Sequence, residues 1–121
     1  MSESRLMQSM LLDFYGELIT EKQRECFDLH YNEDLSLSEI AENYGISRQG
    51  VRDVIVRAEA AMTELEDKTG ILKRFMRLKD KIAAIAEDAE AIKAINYRQY
   101  DNDELAELAE RIAANAAALR E

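Results

Sequence analysis

The chain has 121 residues, no proline and only four glycines. This length supports one domain with a modest core, and helical periodicity in almost every segment makes all-α the predicted class. A net charge of −9 and an isoelectric point near 4.7 exclude a uniformly basic nucleic-acid binder, leaving room for a local basic surface on an acidic body. The single cysteine, Cys26, excludes an internal disulfide. With no secretory segment and no long apolar run, the expectation is a cytoplasmic protein without membrane insertion.

Glu3 to Tyr15 is predicted as the first helix, with Met7, Leu11, Phe14 and Leu18 as one apolar stripe. Gly16 is placed to close it. Thr20 to Tyr31 is the second helix. Thr20 and Gln23 form a capping box, and Glu21 lies on the favourable side of the helix dipole. Phe27 and Leu29 are expected in the core, and Cys26 beside them as a buried small hydrophobe. His30 follows Cys26 by four positions, but one histidine and one cysteine do not make a metal site without further ligands.

After the polar turn Asn32-Glu33-Asp34, the stretch from Leu35 to Ile55 reads as a helix-turn-helix. Ser36 caps its first helix and Glu39 reaches back to it, a second capping box. Ile40 faces inward, and Ala41 is small where two helices cross. Gly45 falls where the chain must turn, and Ile46 plugs the turn. Ser47 caps the second helix, whose inner face is Val51, Val54 and Ile55, continued by Ala58, Met62 and Leu65. Arg48, Gln49, Arg52 and Asp53 then face outward, where this motif meets the DNA major groove. Gly50 costs about 1 kcal/mol against alanine within an exposed helix. It is either room for a partner backbone or a tolerated substitution.

Gly70 marks a joint, which gives predicted domains of 1–69, the helix-turn-helix, and 70–121, a packing and dimerisation element. From Ile71 the apolar residues Phe75, Leu78, Ile82, Ile85, Ala89 and Ile92 follow in heptad steps, a seam for helix–helix packing. The segment 96–102 breaks the pattern. A last helix, capped by Asn102 or Asp103, carries Leu105, Leu108, Ile112 and Leu119, with Ala109 and Ala116 allowing close approach. A C-terminal helical hairpin is the simplest arrangement.

Charge is unevenly divided. Residues 68–81 hold six bases against one acid, whereas residues 87–121 hold nine acids against four bases. Lys73, Arg77 and Lys81 align on one helix face with Arg74 beside them, a secondary basic surface for phosphate or an acidic partner. The alternative is a solvated face that pairs with acids elsewhere.

The residues Leu18-Ile19-Thr20-Glu21-Lys22-Gln23-Arg24, then Tyr31, Asp34-Leu35-Ser36-Leu37 and Gly45-Ile46-Ser47-Arg48-Gln49, resemble the YlxM family of small helix-turn-helix regulators. The resemblance runs from Leu11 to about Phe75. More loosely, the same stretch is similar to region 4 of sigma-70-type factors, within the winged-helix-like superfamily of DNA-binding domains. The resemblance implies a setting in the signal recognition particle pathway, as a regulator or as an accessory touching the particle's GTPase or RNA.

Two functions are therefore expected to compete. One is a regulator binding DNA or RNA through Ser47, Arg48, Gln49 and Arg52. The other is a protein or ribonucleoprotein accessory that uses the motif as a scaffold, with signal recognition particle components as partners. Nothing in the chain suggests an enzyme or a cofactor: there is no phosphate-binding glycine loop, nucleophile elbow or metal cluster. A homodimer is expected, because one motif offers a small footprint and the 71–92 seam exceeds what the shorter last helix covers. The competing expectation is that the first helix folds back on the long one.

Overall fold

The computed structural model describes residues 3–120, and no strand occurs among them. Six helices follow in order: α1 Glu3–Tyr15, α2 Glu21–Tyr31, α3 Leu37–Tyr44, α4 Arg48–Thr69, α5 Ile71–Ile95 and α6 Asp103–Ala118. The fold is the all-α helix-turn-helix with a C-terminal helical hairpin that the periodicity predicts. Among the described residues, no helix is long and apolar enough to cross a membrane. Two compact units emerge, one ending at Leu72 and the other beginning at Lys73.

The first unit is built on one core. Leu11, Leu12 and Tyr15 of α1, Cys26 and Phe27 of α2, Ile40 and Ala41 of α3, and Val51, Ile55, Ala58 and Met62 of α4 are all buried, together with Leu72. α1 packs on α2 and α4, so its apolar face is used here rather than on the long helix. The expected α1 stripe needs correction. Met7 and Leu18 are exposed, because the buried face turns through Leu11, Leu12 and Tyr15. Leu18 falls in a 3-10 turn, Gly16–Leu18, beyond the helix. Gly16 does not take a positive φ. Its value is closeness, since a Cβ there would stand 3.3 Å from Leu12 Cδ1. Cys26 is fully buried, and burial pushes its thiol pKa up, as a small hydrophobe in the core requires.

Local capping follows the sequence closely. Thr20 Oγ1 accepts from the Gln23 amide at 3.1 Å, and Gln23 Oε1 accepts from the Thr20 amide at 3.0 Å. At the end of the unit, Gly70 takes a left-handed φ of 63° between α4 and α5. A polar clasp fixes the joint. Tyr15 donates to Glu66 Oε1 at 2.6 Å, and the Leu72 amide donates to the same oxygen at 2.9 Å. Burial first, then the Glu66 carboxylate, raises the Tyr15 phenol pKa. The heptad reading set Ile71 in the seam. In fact Ile71 is half exposed and its neighbour Leu72 enters the core.

The second unit is a hairpin of α5 and α6. α5 ends in a π-helical turn, Asn96–Tyr100, closed by Asp101 at a φ of 42°. Asn96 is buried and brackets the connection: its Nδ2 donates to Asn102 O at 2.8 Å, and its Oδ1 accepts from the Asn102 amide at 2.9 Å. Asn102 then caps α6 by accepting from the Leu105 amide at 3.0 Å. The two helices meet through alanines, since Ala89, Ala109 and Ala116 are buried. Lys93 of α5 reaches Glu110 of α6 at 2.7 Å, and this carboxylate holds the Lys93 ammonium above its usual pKa. Most of the large residues expected to fill the seam do not. Ile85 is 49% exposed and Ile112 41%. The small side chains are enclosed between the helices, and the bulky ones stand at their flank.

Candidate nucleic-acid interface

The motif is assembled by three local devices. Ser36 Oγ accepts from the Glu39 amide and Glu39 Oε1 accepts from the Ser36 amide, both at 3.1 Å. This box starts α3. Gly45 stops it with a φ of 66°, and the Gly45 and Ile46 amides both donate to Ala41 O, which satisfies a helix-end carbonyl. Ile46 packs half-buried on the core. Ser47 then starts α4, its Oγ accepting from the Gly50 amide at 2.9 Å.

Because Val51, Ile55 and Ala58 are locked in the core, the rotation of α4 about its axis is fixed, and so is the face it shows to solvent. Ser47, Arg48, Gln49, Arg52 and Asp53 are all exposed. They fall within two turns at the helix start. Arg48 and Arg52 stand one turn apart, and neither has an ion-pair partner among the described residues. Gln49 is engaged, its Nε2 donating to Asp53 Oδ1 at 3.0 Å. Ser47 accepts the cap bond and keeps its hydroxyl proton for an outside acceptor. The first-turn amides of α4 add donors without intrahelical partners.

Gly50 serves the turn. A Cβ at this position would lie 3.1 Å from Ser47 Oγ and 3.6 Å from Ile46 Cδ1. Glycine therefore lets the cap and the plug close on α4.

The other predicted basic group, Lys73, Arg74, Arg77 and Lys81, is exposed throughout and occupies the first three turns of α5 in the second unit. Lys68, counted in the same basic run, pairs with Glu64 at 3.0 Å within α4.

Two supports of the motif had no signal in periodicity. Arg5 of α1 donates to the carbonyls of His30 at 2.8 Å and Tyr31 at 3.2 Å, and forms an ion pair with Asp34. It neutralises the C-terminal end of α2 and holds the turn into α3, where Asp34 has a φ of 58°. Its guanidinium also lies 5.6 Å from the Tyr31 ring centre. Tyr44, at the end of α3, donates to Glu25 Oε2 at 2.5 Å. That bond, with burial, pushes the Tyr44 pKa up to about 12. Both are contacts between helices, joining residues 19 to 29 positions apart.

The comparisons with known proteins agree with this architecture. The model of the UPF0122 family, described as "Putative helix-turn-helix protein, YlxM / p13 like", matches residues 2–102. A UPF0122 protein of Thermoanaerobacter sp. is 43% identical over 93 residues, covering 77% of this chain and 80% of the relative. One from Acetivibrio thermocellus is 41% identical over 104 residues, 86% of this chain and 89% of the relative. One from Bacillus thuringiensis is 38% identical over 112 residues, 93% of this chain and 96% of the relative. No solved structure matches the chain. With its helix-turn-helix built as described and the family model covering residues 2–102, the chain belongs to the UPF0122, YlxM/p13-like family of helix-turn-helix proteins.

Proposed function

We propose that the protein is a regulatory factor that binds nucleic acid through the start of α4. The observation that carries this reading is the pair Arg48 and Arg52, exposed and without carboxylate partners among the described residues, on a helix whose rotation the core fixes. Ser47 and Gln49 assist them. Guanidinium groups at this position suit phosphate and guanine edges alike. Lys73, Arg74, Arg77 and Lys81 form a secondary surface for phosphate or an acidic partner. The setting proposed for this activity is the signal recognition particle pathway, as the resemblance to the YlxM family implies.

A second reading rests on a specific observation. Asp53 lies on the same face as Arg52, and the whole chain carries a net charge of −9. Both oppose tight binding to bare DNA. In this reading the protein is an accessory that contacts the signal recognition particle GTPase or its RNA without reading DNA sequence.

Fluorescence anisotropy with a labelled random duplex and a labelled structured RNA, taken through rising salt, separates the two. Phosphate-driven binding falls steeply with salt, and Arg52→Ala costs about 1–3 kcal/mol if it reads a base edge. Unchanged binding by the double variant Arg48→Ala, Arg52→Ala removes α4 from the interface. Binding to the duplex supports the first reading; binding to RNA alone, or to neither probe at low salt, favours the accessory reading.

A further inference from the structure

The α5–α6 hairpin leaves one face uncovered. Ala89 and Ala109 are each 1% exposed and mark the line along which the helices touch. On α5, Ile85 and Ile92 lie four residues before and three after Ala89. On α6, Leu105 and Ile112 lie four before and three after Ala109. These offsets rotate both pairs to the same side of their alanine by about 40–60°. In antiparallel helices, equal rotations point both stripes to one side of the hairpin. A groove of about 640 Å³ joins the helices at their open end, lined by Leu78, Ile82 and Ile85 from α5 and by Leu119 just past α6.

The face is large enough to matter. Ile85, Ile92, Leu105, Leu108 and Ile112 are each 40–49% exposed, Leu78 is 52% and Leu119 is 68%. With the stems of flanking charged residues, they offer several hundred Å², on the scale of the roughly 800 Å² per partner that a stable interface buries.

Charge identifies the occupant. Between residues 73 and 81, at the open end of the hairpin, there are five bases and one acid. Between 87 and 110, around its closed end, there are eight acids and two bases. Each hairpin is therefore positive at one end and negative at the other. We infer that a second copy of this chain covers the apolar face, antiparallel to the first, so that the basic end of each hairpin lies on the acidic end of the other. Ile82 and Ile85 sit nearest the two-fold axis, and Arg77 and Lys81 of one copy approach Asp88 of the other. The parallel alternative sets like charges together. The closed product is a four-helix bundle with the large aliphatics inside.

Sedimentation equilibrium of the full chain at micromolar concentration tests this. The expected species has twice the chain mass of 13.8 kDa. Ile85→Asp with Ile112→Asp is expected to give a monomer that retains its helical circular dichroism. Arg77→Glu with Lys81→Glu, at exposed positions that leave the fold intact, should weaken the dimer by roughly tenfold or more at low salt. Adding Asp88→Lys to the same chain should restore part of the affinity. A single 13.8 kDa species with no concentration dependence overturns the inference and leaves the face to a different protein. A dimer indifferent to the charge reversals overturns the antiparallel alignment.

Discussion

The two units use the same helical periodicity to opposite ends. In the first, four helices and the start of α5 enclose Phe27, Ile40, Val51 and Met62 at 0% exposure. In the second, only alanines and Asn96 are buried among the described residues, while leucines and isoleucines of comparable size stand half exposed. A helix in a bundle of four has neighbours on two sides and can bury a wide stripe. A helix in a two-membered hairpin has one neighbour and buries one line. Where alanines occupy that line, the larger residues are left over. A heptad pattern states which residues seek burial and says nothing of whether a partner is present to bury them.

The contrast is open to direct attack. Phe27→Ala removes a fully buried ring and should destabilise the first unit by about 3–5 kcal/mol. Leu108→Ala, at a 43% exposed site, should shift thermal unfolding far less at submicromolar concentration. Equal losses would mean that the hairpin encloses a core of its own. Ala109→Leu forces bulk into the line of helix contact and should cost about 1–3 kcal/mol, read as melting of the hairpin at lower temperature. Ser36→Ala removes one side of a capping box and should cost about 1 kcal/mol in denaturant unfolding. Retention of full stability would show that the tertiary contacts of α3 make its cap redundant.

The smallest effect is one of pH. Tyr44 has its pKa raised from 10.0 to about 12 by its hydrogen bond to Glu25 and by burial. A group with a raised folded-state pKa contributes stability that is complete below the unfolded value and is lost as pH climbs through the folded one. Stability should therefore decline between about pH 10 and 12 in part through Tyr44, and Tyr44→Phe should flatten that part of the profile. A tyrosinate absorbance titration that is unchanged by Tyr44→Phe in the upper range would contradict the assignment.

Much of the architecture was legible. Ser36 with Glu39, Thr20 with Gln23, Ser47 and Gly45 each signal a boundary through interactions within a few residues, and each acts where its spacing places it. The inner face of α4 was equally plain, because Val51, Ile55, Ala58 and Met62 repeat at helical intervals. What escaped were features set by distant chain segments. Nothing local distinguishes Leu72 from Ile71; the Tyr15–Glu66 clasp decides which one enters the core. Arg5 reads as an ordinary surface base until the end of α2 is brought against it. In α5 the pattern marked the right residues, but α6 offered its alanines, so Ile85 and Ile92 remained outside. For the candidate interface, the outward register of Arg48, Gln49 and Arg52 was readable from the inward register of Val51 and Ile55. The role of Gly50 was not, since it depends on where Ser47 and Ile46 close over it.

Amide hydrogen exchange on the full chain, with and without saturating random duplex or structured RNA, tests the central claim most directly. The first-turn amides of Arg48 and Gln49 have no intrahelical partner and exchange quickly in the free protein. The account predicts that nucleic acid slows them and that the Arg48→Ala, Arg52→Ala variant abolishes the slowing. Protection confined to other segments, with the start of α4 unchanged, would contradict it.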